Sequence, residues 1–212
     1  MCLFCIGMLT LEFMDKKEGE SFYENVLPSN NKIDINELKK EYEGIKGYIE
    51  IPDTNISYPI VQGNDNAYYL RRLPSGEKNR RGSIYLDYRN NGFNDENTVI
   101  YGHNFNDGTM FSDLLNYEST DFYKNHKNFV IYTENGKIEV EVIAAYIADA
   151  TVSELPTTFK DRAEFDSYLK MVLDNNILDN DFKVDDIEKI VSLCTCSDGS
   201  KESRLVIIGK IV

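Results

Sequence analysis

Two residues near the C-terminus set the chemistry to look for. Cys196 closes the apolar run Ile190-Val191-Ser192-Leu193-Cys194-Thr195-Cys196, and eight residues on Arg204 opens the next run, Leu205 to Val212. The pattern places a thiol at the end of one strand and a guanidinium at the start of the next. The thiolate is the attacking form of cysteine, and nearby cations favour it. An imidazole can exchange protons with the thiol and with a leaving amine. A guanidinium can donate hydrogen bonds to a peptide carbonyl or to the oxyanion of a tetrahedral intermediate. The chain has two histidines. His126 lies in the polar stretch Tyr123-Lys124-Asn125-His126-Lys127, the setting of an ordinary surface residue. His103 follows the apolar run Thr98–Tyr101 and Gly102, a strand end from which a rigid scaffold can present a side chain to a cleft. Each signal is weak alone, since cysteine is more often a small buried hydrophobe than a nucleophile. Thiol, imidazole and guanidinium on adjacent strand ends would suffice to attack an amide.

Positioning three such residues requires a sheet, and the sequence supplies one. Short apolar or alternating runs recur at Tyr48–Ile51, Ser57–Val61, Ser83–Asp87, Thr98–Tyr101, Asn128–Tyr132, Lys137–Ile147, Lys189–Thr195 and Arg204–Val212. Turn residues punctuate them, and Asn135-Gly136 between two such runs is a hairpin signal. Many short strands with regular turns predict a barrel or sandwich. The spacing also predicts helices. One begins at Asp34 as N-cap, with Glu37 three residues later, carries Leu38, Tyr42 and Ile45 on its apolar face, and ends at Gly47. A longer one covers Lys160 to Asn175, with Phe165, Tyr168, Leu169, Val172 and Leu173 on one face. Asp65–Arg71 and Met110–Leu115 read as short helical turns. Residues 15–32 are polar, contain Pro28-Ser29-Asn30-Asn31, and read as a linker.

Composition bounds the rest. A chain of 212 residues, 42% hydrophobic, can bury a real core and is not disordered as a whole. Its net charge of −13 opposes binding to phosphate backbones and argues against a nucleic-acid partner. Cys2 and Cys5 lie in the N-terminal apolar stretch, and Cys194 and Cys196 are two apart on one strand, so the four cysteines form no disulfide framework. Met1 to Met14 is mostly apolar, interrupted by Glu12, and is shorter than the about 20 residues a bilayer-spanning helix needs. It reads as the tail of a longer anchor or as a helix packed on the domain.

Three segments resemble the sortases, and class B in particular. Ser192-Leu193-Cys194-Thr195-Cys196 is similar to the family's TLxTC strand, and Tyr101-Gly102-His103-Asn104 with Asp107-Gly108-Thr109-Met110-Phe111 resembles its histidine segment. Arg204 stands where the family keeps an arginine on the next strand. Gly47–Gly63 and Arg81-Gly82-Ser83-Ile84-Tyr85-Leu86-Asp87 add to the likeness. The resemblance implies a mainly β fold: an eight-stranded barrel, an N-terminal helix and a long helix between strands six and seven. It implies a catalytic domain over 33–212, with 1–32 as an apolar anchor remnant and linker.

The implied activity is that of a membrane-anchored, extracytoplasmic cysteine transpeptidase that needs no cofactor or metal. It would cleave an NPxT- or LPxTG-like sorting motif of a secreted protein and pass the acyl group to a peptidoglycan-precursor amine. On that likeness Cys196 is the nucleophile, His103 the acid/base and Arg204 the orienting cation. Thr195, Cys194 and Asp198 are substrate-binding candidates, although Asp198-Gly199 also suits a plain turn. Two departures stand out. Ser192 replaces the family's first threonine, and Cys194 occupies a position where serine is common; a thiol is a poor hydrogen-bonding substitute. Two other readings use the same residues: a cysteine hydrolase in which water replaces the amine, and a zinc-binding barrel with Cys194, Cys196 and His103 as ligands.

Overall fold

The computed structural model describes residues 2–26, 32–149, 154–196 and 203–212; for residues 2–12, 186 and 196 it describes the backbone alone. Eight strands form the domain: β1 (Ile45–Glu50), β2 (Ser57–Gln62), β3 (Ile84–Leu86), β4 (Asn97–His103), β5 (Asn128–Thr133), β6 (Gly136–Asp149), β7 (Ile190–Cys196) and β8 (Ser203–Ile211). They close into a barrel in the order β1-β2-β3-β4-β7-β8-β6-β5. All eight predicted strand runs are strands, and the Asn135-Gly136 signal is the β5–β6 hairpin, with Gly136 at φ +124.

Strand alternation produces two apolar layers. Ile49, Ile60, Ile84, Ile100, Ile131, Val142, Leu193 and Ile207 belong to the cluster to which every strand contributes, the barrel interior. Their neighbours of opposite parity, among them Tyr85, Tyr101, Cys194 and Val206, form an outer cluster. Of the helices, the one over Thr120–Asn125 sets Phe122 and Tyr123 against the interior cluster, and the others pack on the outer layer. They are α1 (Cys2–Asn25), α2 (Ile35–Glu41), α3 (Thr120–Asn125) and α4 (Arg162–Asp174). In α4 the predicted periodicity holds: Asp161 caps the N-terminus by accepting from Glu164 N at 3.0 Å, and Phe165, Leu169 and Val172 are buried against the outer cluster.

Three expectations need correction. The helix after Asp34 is short. Asp34 caps it as expected, but the chain turns at residues 43–44, and Ile45 and Gly47 belong to β1, paired with Val61 and Ile60. Extended pairing wins at Ile45 because the outer cluster buries it completely. The expected helical turns at Asp65–Arg71 and Met110–Leu115 are 3-10 turns at Tyr69–Arg71 and Ser112–Glu118. The segment expected as linker is helical as far as Asn25. It docks through Tyr23 OH, which donates to Gly82 O at 2.7 Å, and through Asp15 O, which accepts from Asn79 at 2.9 Å. Among the described residues no helix is long and apolar enough to cross a membrane.

One buried charge ties the layers together. Asp87 is fully buried, and its carboxylate accepts from Arg89 Nε (2.9 Å) and Nη2 (2.8 Å), Asn66 (3.0 Å) and Tyr101 OH (3.2 Å). Arg89 also donates to Leu155 O at 2.7 Å, fixing the approach to α4. Burial opposes ionisation of Asp87, but the Arg89 and Asn66 hydrogen bonds outweigh it and hold the carboxyl below its ordinary range. A lowered folded-state value means this stabilisation is present above the unfolded pKa of about 4 and is lost as pH falls through the folded value.

Two outcomes follow for stability. Leu169→Ala should cost about 2–5 kcal/mol in denaturant unfolding; a loss below about 1 kcal/mol would mean α4 is not packed as described. Asp87→Asn should destabilise the protein at pH 7, and its deficit relative to the parent should shrink toward pH 3. Equal deficits at both pH values would show that the ionised carboxylate is not what stabilises.

Candidate active site

The site is set by strand register before any side chain is considered. β4 and β7 run parallel, and their pairing places Tyr101 beside Cys194, Gly102 beside Thr195 and His103 beside Cys196. Ser192 Oγ donates to Asn97 Oδ1 at 2.7 Å, a buried bond that ties the opposite ends of these two strands together. β7 and β8 run antiparallel, with Cys194 opposite Val206. Continuing that register brings position 196 level with Arg204. Positions 103 and 196 therefore lie side by side on adjacent strands, and position 204 falls in line with them on the extended register; the parity of Tyr101 and Val206 puts residues 103 and 204 on the outer face.

His103 is held closely. It is 8% exposed, and its Nε2 lies 2.7 Å from Leu70 O. A carbonyl oxygen only accepts, so Nε2 carries the proton in this contact and Nδ1 is the nitrogen that can exchange one. The Phe105 ring packs at 5.4 Å from the imidazole, and Phe111 N donates to His103 O at 2.8 Å. Gly102 is needed here, because a Cβ at that position would overlap Ile84 and the Phe111 ring.

Arg204 is half-buried at the start of β8, paired with Ala148 of β6. Its Nε is buried and has no hydrogen-bond partner among the described residues. A guanidinium donor in that state is costly unless an acceptor arrives, and a peptide carbonyl is a suitable one.

The substrate-binding candidates separate. Cys194 lies two residues before Cys196 on β7, 2% exposed, in the outer cluster with Tyr101 and Tyr146. Thr195 follows it on β7 and has the opposite parity. It is 5% exposed, and its hydroxyl makes contacts of 3.3 Å to Leu205 O and 3.2 Å to Leu205 N. Its parity matches Val191 and Leu193, so it points to the barrel interior and joins β7 to β8. Asp198 lies outside the described residues. His126 caps α3, stacks on Phe122 at 3.9 Å and donates from Nδ1 to Phe122 O at 2.8 Å, a local structural role.

Sequence reasoning missed the Leu70 carbonyl, a backbone group on a segment 33 residues before His103, which no side-chain pattern announces. It also missed Arg81 and Asp107, although both stand in segments that carried the resemblance. Their opposite charges 26 residues apart gave no sign that they pair.

Known proteins match this chain in sequence and in fold. The Sortase domain family matches residues 49–212. Sortase B of Listeria monocytogenes is 38% identical over 182 residues, 84% of this chain and 74% of that protein. The Staphylococcus aureus sortase B–substrate complex superposes with a TM-score of 0.83 at 28% identity, covering 94% of this chain and 98% of that one. A sortase B crystal structure in complex with triglycine superposes with a TM-score of 0.78 at 27% identity, covering 97% of each chain. The barrel order, the added helices and these matches agree, and the chain belongs to the sortase family as a class B member, a cysteine transpeptidase.

Proposed function

We propose that Cys196 is the nucleophile of a sorting reaction, with His103 as acid/base and Arg204 as the cation that orients the motif. The observation that carries the assignment is the β4–β7 register, which pairs His103 with Cys196; the β7–β8 pairing ends at Cys194–Val206, and two more residues on the same course reach Arg204. In the first half-reaction the Cys196 thiolate attacks the scissile carbonyl of a sorting motif. The tetrahedral intermediate collapses to a thioester, and the leaving amine takes its proton from His103 through Nδ1, since Nε2 is engaged by Leu70 O. In the second, an acceptor amine attacks the thioester, gives its proton to His103 and expels the thiolate. Arg204 donates to a motif carbonyl and to the oxyanion; its unpartnered Nε supports that role.

The donor substrate on this reading is a secreted protein with an NPxT- or LPxTG-like motif. The acceptor is an amine of a peptidoglycan precursor, which places the catalytic domain at the cell surface. The triglycine complex of a related sortase B supports a short amine-bearing peptide as acceptor.

Cys196→Ala and His103→Ala should each abolish transfer of a fluorescent sorting peptide while leaving the melting temperature near that of the parent. Arg204→Lys keeps the charge but loses the planar fork, and kcat/KM should fall about 10²–10³-fold; turnover near that of the parent would remove Arg204 from the mechanism. With triglycine present, mass spectrometry should find the ligated peptide as the main product. Free acid alone, at every amine concentration, would make the enzyme a hydrolase instead.

A further inference from the structure

The loop that follows His103 is fastened at its tip by a charged pair that plays no part in the steps above. Residues 104–110 leave β4 and fold back, closed by the bridge between Asn104 and Met110. Gly108 at φ +81 and Met110 at φ +59 fix its shape. Asp107 sits at the tip. Its carboxylate receives Arg81 Nη1 at 3.3 Å and Nη2 at 2.5 Å, and Thr109 Oγ1 at 2.7 Å. Lys16 of α1 approaches it at 3.3 Å. Arg81 also donates to the Thr109 hydroxyl.

Arg81 then reaches His103 from two sides. Its guanidinium lies over the Phe105 ring, 5.1 Å from the centroid, and that ring packs on the imidazole. Its chain neighbour Gly82, at φ +60, packs against the Leu70 carbonyl so closely that no Cβ would fit. That carbonyl is the acceptor of His103 Nε2. Arg81 itself is only 6% exposed, a burial that is costly unless the charge is paired. Hydrogen bonds from Arg81 hold the Asp107 carboxyl far below its ordinary range, so the pair is ionised at neutral pH.

We propose that Asp107 and Arg81 are positioning residues that fix the His103 ring for proton transfer, acting through Phe105 on one side and the Gly82–Leu70 contact on the other. The described links from this pair to the imidazole run through Phe105 and through the Leu70 carbonyl. Their effect falls on the rate of the proton-transfer steps rather than on substrate affinity. The inference rests on the acid/base assignment of His103 above.

The test is steady-state transfer kinetics, with active sites titrated by an irreversible motif-derived inhibitor that labels Cys196 only in folded enzyme, so that unfolded enzyme does not enter kcat. Asp107→Asn should lower kcat per titrated site on the order of 10-fold, with KM within about twofold. Asp107→Glu, which keeps the carboxylate, should return to within about threefold of the parent. The Arg81→Lys variant, which keeps the charge without the fork, should lose kcat as Asp107→Asn does, and serves in its place if the latter does not fold. Unchanged kcat per titrated site in Asp107→Asn, or in that substitute, would overturn the proposal even if stability fell. So would a rise in KM at constant kcat, since that marks a substrate contact. His103→Ala with full turnover would sink the acid/base reading as well; unchanged kcat in Asp107→Asn beside an inactive His103→Ala sinks this inference alone.

Discussion

Parallel pairing of β4 with β7 is the constraint on which the site depends. The two strands are far apart in the chain, and their register alone decides that residue 103 meets residue 196. A slip of one residue would turn the whole row to the other face of the sheet. The structure guards against such a slip. Val191 and Leu193 are committed to the interior, Ile190 and Cys194 to the outer layer, and the Ser192–Asn97 bond ties the far ends of the strands together. Thr195 extends the restraint to β8 through the Leu205 backbone. The barrel thus brings positions 103 and 196 together as a consequence of burying its own core.

Beneath that row lies a desolvated floor. Tyr101, Tyr146 and Tyr168 surround Cys194, and burial is the first cause that pushes all three phenols upward, so they stay neutral. Tyr146 and Tyr168 join hydroxyl to hydroxyl at 3.3 Å, and Tyr101 donates to Asp87. The floor is therefore linked to the Asp87–Arg89 clamp that holds the approach to α4. Interactions above such a floor are less screened than in water, which strengthens a guanidinium acting on a carbonyl.

Much of this was legible in the chain because local patterns and the global fold agree. Alternation and turn residues announced every strand, and the 3.6-residue spacing from Phe165 to Leu173 announced α4. The parity of Thr195 with Val191 and Leu193 was also available in the sequence and argued for the interior. What stayed hidden arises from contacts distant in sequence. Leu38, Tyr42 and Ile45 fit a helical face, yet Ile45 is claimed by β2 across the sheet. The polar run up to Asn25 is helical and docks on residues of the Asn79–Gly82 segment. The Leu70 carbonyl and the Arg81–Asp107 pair reach His103 only because the barrel gathers three separate loops at one pole.

The central claim is that one row of side chains takes hold of one peptide carbonyl. A crystal structure of the enzyme carrying a sorting-motif peptide with a thiol-reactive carbonyl group in place of the scissile bond tests it most directly. The account predicts an adduct on Cys196, its oxygen within about 3.2 Å of the Arg204 guanidinium, and the His103 ring beside the sulfur with Nε2 still on Leu70 O. An adduct on Cys194, or an Arg204 that points away from the bound peptide, would contradict it.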